Sequence, residues 1–207
     1  MSQSSQVITN LFKSRKILLE LLSERGYNIE SQNNFTENEV RIMAQQKQLD
    51  FELETDGKKV FVKYLIATKI RNNSLRNFLT DFLEENPDID PSSTDFIIIL
   101  KDKPNDSLLK VTDDFYSEKQ IYINLFYIKN LLFNILKHEY VPDHKIIKES
   151  DFKEIKSNYN LNSRYQLPII NRHDAVSNVL GIRPGEVVKI TRPSKTAGQY
   201  VSYRCCK

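Results

Sequence analysis

Two cysteines, five glycines, three histidines and no tryptophan leave this 207-residue chain short of material for several kinds of chemistry. The cysteines are neighbours, Cys205 and Cys206, so they can neither cross-link distant segments nor supply half of a spaced metal site. A reducing compartment is therefore expected. His138, His144 and His173 have no Cys or His cluster near them, which argues against a metal-ligand constellation; neither metal nor cofactor is expected. Five glycines do not compose a phosphate-cradling loop, and no serine sits in a nucleophile-elbow pattern, so nucleotide binding and hydrolase chemistry have no support. Long apolar runs are missing too. None approaches the roughly eighteen residues of a membrane span, and the polar Met1 to Gln6 has the pattern of neither a secretory signal nor an Arg-rich transit peptide. A soluble protein without a membrane partner is expected.

What is present suits a globular chain large enough to bury one core or two modest ones: 40% hydrophobic and 28% charged residues. The net charge of +3 is unevenly placed. Residues 1–137 carry 18 basic and 20 acidic side chains, and residues 138–207 carry 12 and 7. Within 181–207, Arg183, Lys189, Arg192, Lys195, Arg204 and Lys207 face a single acid, Glu186. Such a surplus fits an acidic protein surface, a phosphate backbone or plain solvent.

Val7, Ile8, Leu11, Phe12, Leu18, Leu19 and Leu22 recur at helical spacing up to Gly26, which predicts a first helix; a second is expected over 36–46. Leu49, Phe51 and Leu53 alternate with acids, and Val60 to Leu65 resumes beyond Asp56-Gly57, a hairpin pattern. Leu75, Phe78, Leu79, Phe82 and Leu83 predict a helix ending before Pro87, and Phe96 to Leu100 reads as a strand covered on both faces. A short helix, a strand near Ile121 to Asn124 and a helical turn around Leu131 to Leu136 follow, with a boundary at Lys137 and His138. Beyond it are expected a strand at Lys145 to Ile147, a helix capped by Ser150, an extended Leu167 to Ile170, and a helix capped by Asp174 and closed by Gly181. Strands Glu186 to Thr191 and Gln199 to Cys205 then flank a loop from Arg192 to Gly198.

Four motifs stand out on this layout. His138-Glu139-Tyr140-Val141-Pro142-Asp143-His144 is bracketed by histidines; Leu167-Pro168 is a central extended piece; Gly181 to Ile190 is a turn and strand; and Arg192-Pro193-Ser194, Thr196-Ala197-Gly198 and Tyr200-Val201-Ser202-Tyr203-Arg204 form a closing hairpin. In this order they resemble the carboxy-terminal assembly domain of the fifth shared subunit of eukaryotic nuclear DNA-directed RNA polymerases, a domain with a small archaeal polymerase counterpart. Arg15-Lys16 and Glu24-Arg25-Gly26-Tyr27 resemble the amino-terminal jaw of the eukaryotic version, which the archaeal proteins lack. Ala175 stands where the family usually has proline, and Lys103-Pro104-Asn105-Asp106 where it has Thr-Pro-Ser-Ala.

The resemblance implies an α/β plus α+β chain: a three-layer α/β jaw over 1–137, restriction-endonuclease-like without an active site, and a small two-layer α/β assembly domain over 138–207. It implies a non-catalytic subunit that docks on the largest polymerase subunit, associates with other polymerase subunits, forms part of the lower jaw near downstream duplex DNA, and is not a homo-oligomer. The partner-binding residues it implies are His138, Glu139, Val141, Pro142, His144, Leu167, Pro168, Arg192, Pro193, Ser194, Thr196, Ala197, Gly198, Tyr200, Tyr203 and Arg204. Lys101, Lys103 and Pro104 are the DNA-proximal candidates, acting through backbone charge without base readout. The alternative is a freestanding transcription regulator that borrows the docking domain. A cellular chain belongs in the nucleus; the wealth of Asn, Ile and Lys also fits a large DNA virus, whose chain belongs in a cytoplasmic factory or the virion.

The residues support this reading on their own terms. A proline that fixes the backbone, a glycine that permits an unusual one and small hydroxyls suit a rigid loop presented to another chain. Arg192 and Arg204 can each grip a carboxylate with two hydrogen bonds. His138 and His144, six apart around Val141-Pro142, do not share a helical face and are read as hydrogen-bonding residues rather than an acid–base pair. Tyr200 and Tyr203 fall on opposite faces of a strand, one expected in the core and the other at an interface. Asp50 could be the first acid of a nuclease, but Phe61-Val62-Lys63 lacks the acid two residues before the lysine, which cripples divalent-metal binding.

Overall fold

The computed structural model describes residues 2–207 except 33, 56, 67–69, 87–88 and 91–92, with side chains from residue 6 onward. The turn residue Asp56 and the helix-stopping Pro87 lie outside the described residues. The chain divides into two compact units, Met1–Phe133 and Asn134–Lys207. The expected boundary at 137/138 falls four residues later, because the 3-10 turn Ile135–Lys137, capped by Asn134, packs on a helix of the second unit. No described helix is long and apolar enough to cross a membrane.

The first unit is built on a sheet of β1 (Phe51–Thr55), β2 (Lys58–Leu65), β3 (Thr94–Leu100) and β4 (Tyr122–Tyr127), in that order. β1 is antiparallel to β2, and β2, β3 and β4 are parallel. Register assigns the faces. Val62 opposite Ile97, and Ile97 opposite Asn124, lie on one face; Phe61 opposite Phe96, and Phe96 opposite Ile123, lie on the other. The second face packs on α3 (Asn72–Glu85) and α4 (Asp106–Lys119) through Leu75, Leu79, Leu108, Val111 and Phe115. The first meets α1 (Ser2–Glu24) and the segment after it: the Arg15 guanidinium of α1 lies 4.5 Å from the Phe51 ring centroid, and the hydroxyl of Tyr27, just past the helix, donates to Asp95 at 3.4 Å. Helices thus cover both faces, which is why Phe96 to Leu100 is an unbroken buried run. α2 (Glu37–Gln45) starts on a capping box in which Thr36 and Glu39 satisfy each other's backbone donors. The expected short helix is the full α4, capped by Asn105, and the expected turn at Leu131 to Leu136 is two 3-10 turns, Ile128–Leu131 and Ile135–Lys137.

The second unit has a sheet in the order β5 (Asp143–Ile146), β7 (Val187–Ser194), β8 (Gly198–Cys206), β6 (Ile169–Ile170). α5 (Glu149–Asn158) packs on one face with Phe152, Ile155, Leu167, Val187 and Cys205. Ile170, Ile182, Val188, Ile190 and Cys206 fill the other face, closed by Leu180 of α6 (Ala175–Leu180). Asp174 caps α6, and Gly181 ends it with φ of 70°, a left-handed conformation that side chains with a Cβ resist. Ser150 does not cap α5. The helix starts earlier, after Lys148, and the Ser150 hydroxyl donates to Asp151 at 2.9 Å.

Candidate functional site

The closing hairpin is longer and stiffer than the pattern predicts. Arg192, Pro193 and Ser194 belong to β7 and pair with Tyr200, Gln199 and Gly198 of β8, so the seven-residue loop contracts to the turn 195–197. Inside it, the Ala197 N–H donates to the Ser194 hydroxyl at 3.3 Å, and the Ser194 and Thr196 hydroxyls are 3.3 Å apart. Gly198 takes φ of 70° with open space around it. The residue types at 192–198 are therefore explained locally: hydroxyls hold the turn and glycine permits it.

Hydrogen-bond parity orients each residue. The Cys206 N–H donates to the Glu186 carbonyl at 2.8 Å, and its carbonyl accepts from the Gly185 N–H at 2.9 Å, so even-numbered β8 backbones face β7. The Cys205 N–H donates to the Pro168 carbonyl at 2.9 Å and the Lys207 N–H to the Ile170 carbonyl at 3.0 Å, so odd-numbered ones face β6. On β7 the Ile147 N–H donates to the Val187 carbonyl at 2.9 Å, so odd-numbered backbones face β5. Pro193 is odd and lies beyond the last β5 pair, Asp143 with Thr191. Its missing N–H removes nothing from the β7–β8 ladder.

The two arginines differ. Arg192 is exposed on the ribbon. Arg204 is partly buried, and its guanidinium donates to the Ile169 carbonyl at 2.9 Å, tying β8 to β6. Val188 pairs with Arg204 and Arg192 with Tyr200, which puts both cations and Tyr200 on the face of Val188 and Ile190. Tyr200 is 58% exposed. Tyr203, on the opposite face, packs against Leu167 and Cys205 and meets the Tyr159 ring edge-on at 5.8 Å. Strand alternation thus separated the two tyrosines as expected.

The other partner-binding candidates scatter. The His138 Nδ1 accepts from the Tyr140 N–H at 3.3 Å, and the His144 Nδ1 donates to the Pro142 carbonyl at 2.6 Å, each a local clasp of the loop leading into β5. Glu139 is exposed, and Val141 and Pro142 are half-buried. Leu167 is in the core, and Pro168 supplies a carbonyl to the ladder. Buried Cys206 has its thiol pushed up to about 12 by burial.

In the first unit, the positions a metal nuclease would use are otherwise engaged. One Asp50 oxygen accepts from the Tyr64 N–H at 2.8 Å and the other pairs with Lys63 at 2.5 Å. Phe61 stands where the second acid is needed and stacks on Phe96 at 5.5 Å. Among the described residues no three His, Cys, Asp or Glu side chains gather as a metal site. Lys101, Lys103 and Pro104 lie between β3 and α4, and the two lysines line a cleft of about 330 Å³ together with Leu65, Ile70, Asp102 and Asn105. Both lysines are exposed.

The model of the RNA polymerase Rpb5 C-terminal domain matches residues 133–206. Over 205 residues the chain is 29% identical to a DNA-directed RNA polymerases I, II and III subunit of Dictyostelium discoideum, covering 96% of this chain and 98% of that one. It is 23% identical over 210 residues to DNA-directed RNA polymerase V subunit 5A of Arabidopsis thaliana, covering 98% and 90%. Over 74 residues, 36% of this chain and 35% of the other, identity reaches 45% with the RNA polymerases I, II and III subunit of Caenorhabditis briggsae. Residues 133–206 thus match the Rpb5 C-terminal domain, and over nearly its whole length the chain is similar, at lower identity, to subunits of DNA-directed RNA polymerases.

Proposed function

We propose that this chain is a structural, non-catalytic subunit of a multisubunit DNA-directed RNA polymerase, that its second unit docks on the largest subunit, and that its first unit is the lower jaw beside downstream DNA. The observation that carries the docking is the ribbon. Arg192 to Tyr200 extends past the ends of both neighbouring strands, with cations and Tyr200 exposed on a stiff two-stranded support. A preorganised element of this kind binds without the cost of ordering a loop. The charge surplus around it favours an acidic partner surface.

The jaw's contact with duplex DNA is weak and electrostatic, through Lys101 and Lys103 beside Pro104, and weakens as salt rises. The chain works in the nucleus as a cellular protein, and in a cytoplasmic factory or the virion as a viral one. Affinity purification of the tagged full chain from its native source, at moderate and high salt, tests the reading. Recovery of the largest subunits in comparable amounts, reduced by Arg192→Glu, is expected. Trace polymerase, or none, refutes the core-subunit reading and favours the freestanding regulator.

A further inference from the structure

We propose that β8 is an acceptor edge: an extended, acidic segment of the partner polypeptide pairs with its outer side along Val201 to Tyr203, so that docking is strand addition rather than side-chain contact alone. This rests on the docking reading above and specifies its mode.

β6 is two residues long and pairs only with Cys205 and Cys206 of β8. β8 itself starts at Gly198, so most of its length has no strand neighbour on that side among the described residues. By the parity set at Cys205 and Lys207, the N–H and C=O groups directed there belong to Val201 and Tyr203, with the carbonyl of Gln199; the Gln199 N–H is spent on Ala197 at 2.8 Å. No described backbone or side-chain group bonds to Val201 or Tyr203 on that side. Such groups on a rigid sheet are a template for another strand.

The opposite edge of the ribbon is protected: on β7 the corresponding outward position is Pro193, which offers no donor. The two edges thus differ in the property that decides whether a strand can be added. The occupant follows from charge and position. Arg204 stands beside the start of β6, with one guanidinium N–H on the Ile169 carbonyl and, among the described residues, no other bond to occupy the rest of its five donors, which can meet a carboxylate. Arg192 lies on the same face further along the ribbon. An extended segment with carboxylates spaced to meet these cations gains both ladder bonds and charge-assisted bonds.

The test uses proline's missing N–H. In Val201→Pro the lost donor faces outward, as it does at Pro193, and the hairpin should still fold. In Ser202→Pro the lost donor pairs with Ile190, and the hairpin should be damaged. With circular dichroism as the folding check, Val201→Pro is expected to reduce recovery of the largest subunit on the tagged full chain by on the order of tenfold or more. In the wild-type complex, hydrogen exchange at the Val201 and Tyr203 amides is expected to slow by about a hundredfold relative to the free chain.

If Arg192→Glu abolishes binding while a folded Val201→Pro binds normally and the two amides still exchange fast, docking stands and strand addition is overturned. If both variants bind normally, the docking reading itself fails. Should Val201→Pro not fold, exchange in the wild-type complex decides alone. Protection of those amides in a concentrated sample of the free chain, together with a doubled mass, assigns the edge to a second copy and overturns the proposal.

Discussion

Arg192 and Arg204 look equivalent as letters flanking one motif, and the structure makes them unequal in a measurable way. Arg204→Ala removes a charge-assisted hydrogen bond of 2.9 Å to the Ile169 carbonyl and leaves that carbonyl to water. A hydrogen bond to a charged group contributes about 1.5–3 kcal/mol when buried. Arg204 is only partly buried, so roughly 1 kcal/mol is the reasonable share. In a unit of this size, about 1 kcal/mol lowers Tm by roughly 4–8 °C. Arg192→Ala removes an exposed side chain with no internal bond among the described residues, and its effect should stay within about 0.5 kcal/mol. Scanning calorimetry of the full chain reads both, and recovery of the largest polymerase subunit reads docking in parallel. Arg192→Ala should weaken docking without moving the second unit's transition, whereas Arg204→Ala should lower both. Equal Tm shifts, or a neutral Arg204→Ala, would refute the claim that Arg204 ties β8 to β6.

The buried thiol of Cys206 is held above its ordinary value of 9.0, at about 12; its contribution is therefore present below pH 9 and lost as pH rises from about 9 to about 12. The fall in stability with alkaline pH should be shallower in Cys206→Ala, and neither cysteine should react with a thiol reagent near pH 8 unless the chain is unfolded. Leu79→Ala, at a site 2% exposed between α3 and the sheet, should cost about 2–5 kcal/mol in urea unfolding. The purified chain with magnesium or manganese should leave plasmid DNA uncut, and Asp50→Asn should change stability rather than any cleavage, because that carboxylate serves the Tyr64 N–H and Lys63.

Much of the fold was legible because burial writes a period into a sequence. The α1 stripe ending at Gly26, the alternation of β1 and the apolar run of β3 each carry the pattern of the surface they bury. Boundaries were harder where competing signals overlap. Ser150 has the chemistry of a cap, yet α5 begins before it, with Glu149 and Asp151 both in the first turn where the helix dipole favours them. The loop read from Arg192 to Gly198 failed for a related reason. Proline and glycine both signal breaks, but a proline whose N–H position faces outward can sit inside an edge strand, and Pro193 does. The site motif was legible as letters, while the assignment of Leu167 to the core and Arg204 to an internal bond needed the pairing of β6 with β8.

Several strand edges of the two sheets are blunted in different ways. β1, the outer strand of the first sheet, exposes Glu52 and Glu54, and Glu54 pairs with Lys59 at 3.2 Å; charges of this kind discourage another strand from adding. β5, at the rim of the second sheet, has four residues, and Asp143 and Lys145 pair at 3.4 Å. β7 carries Pro193 beyond the end of β5. β8 has none of these protections along Val201, Ser202 and Tyr203, three uncharged residues, of which valine and tyrosine are strand formers. β1, β5 and the β7 overhang are thus blunted by three different means, whereas the outer side of β8 along Val201 to Tyr203 carries none of them, which suits its proposed role as an acceptor edge.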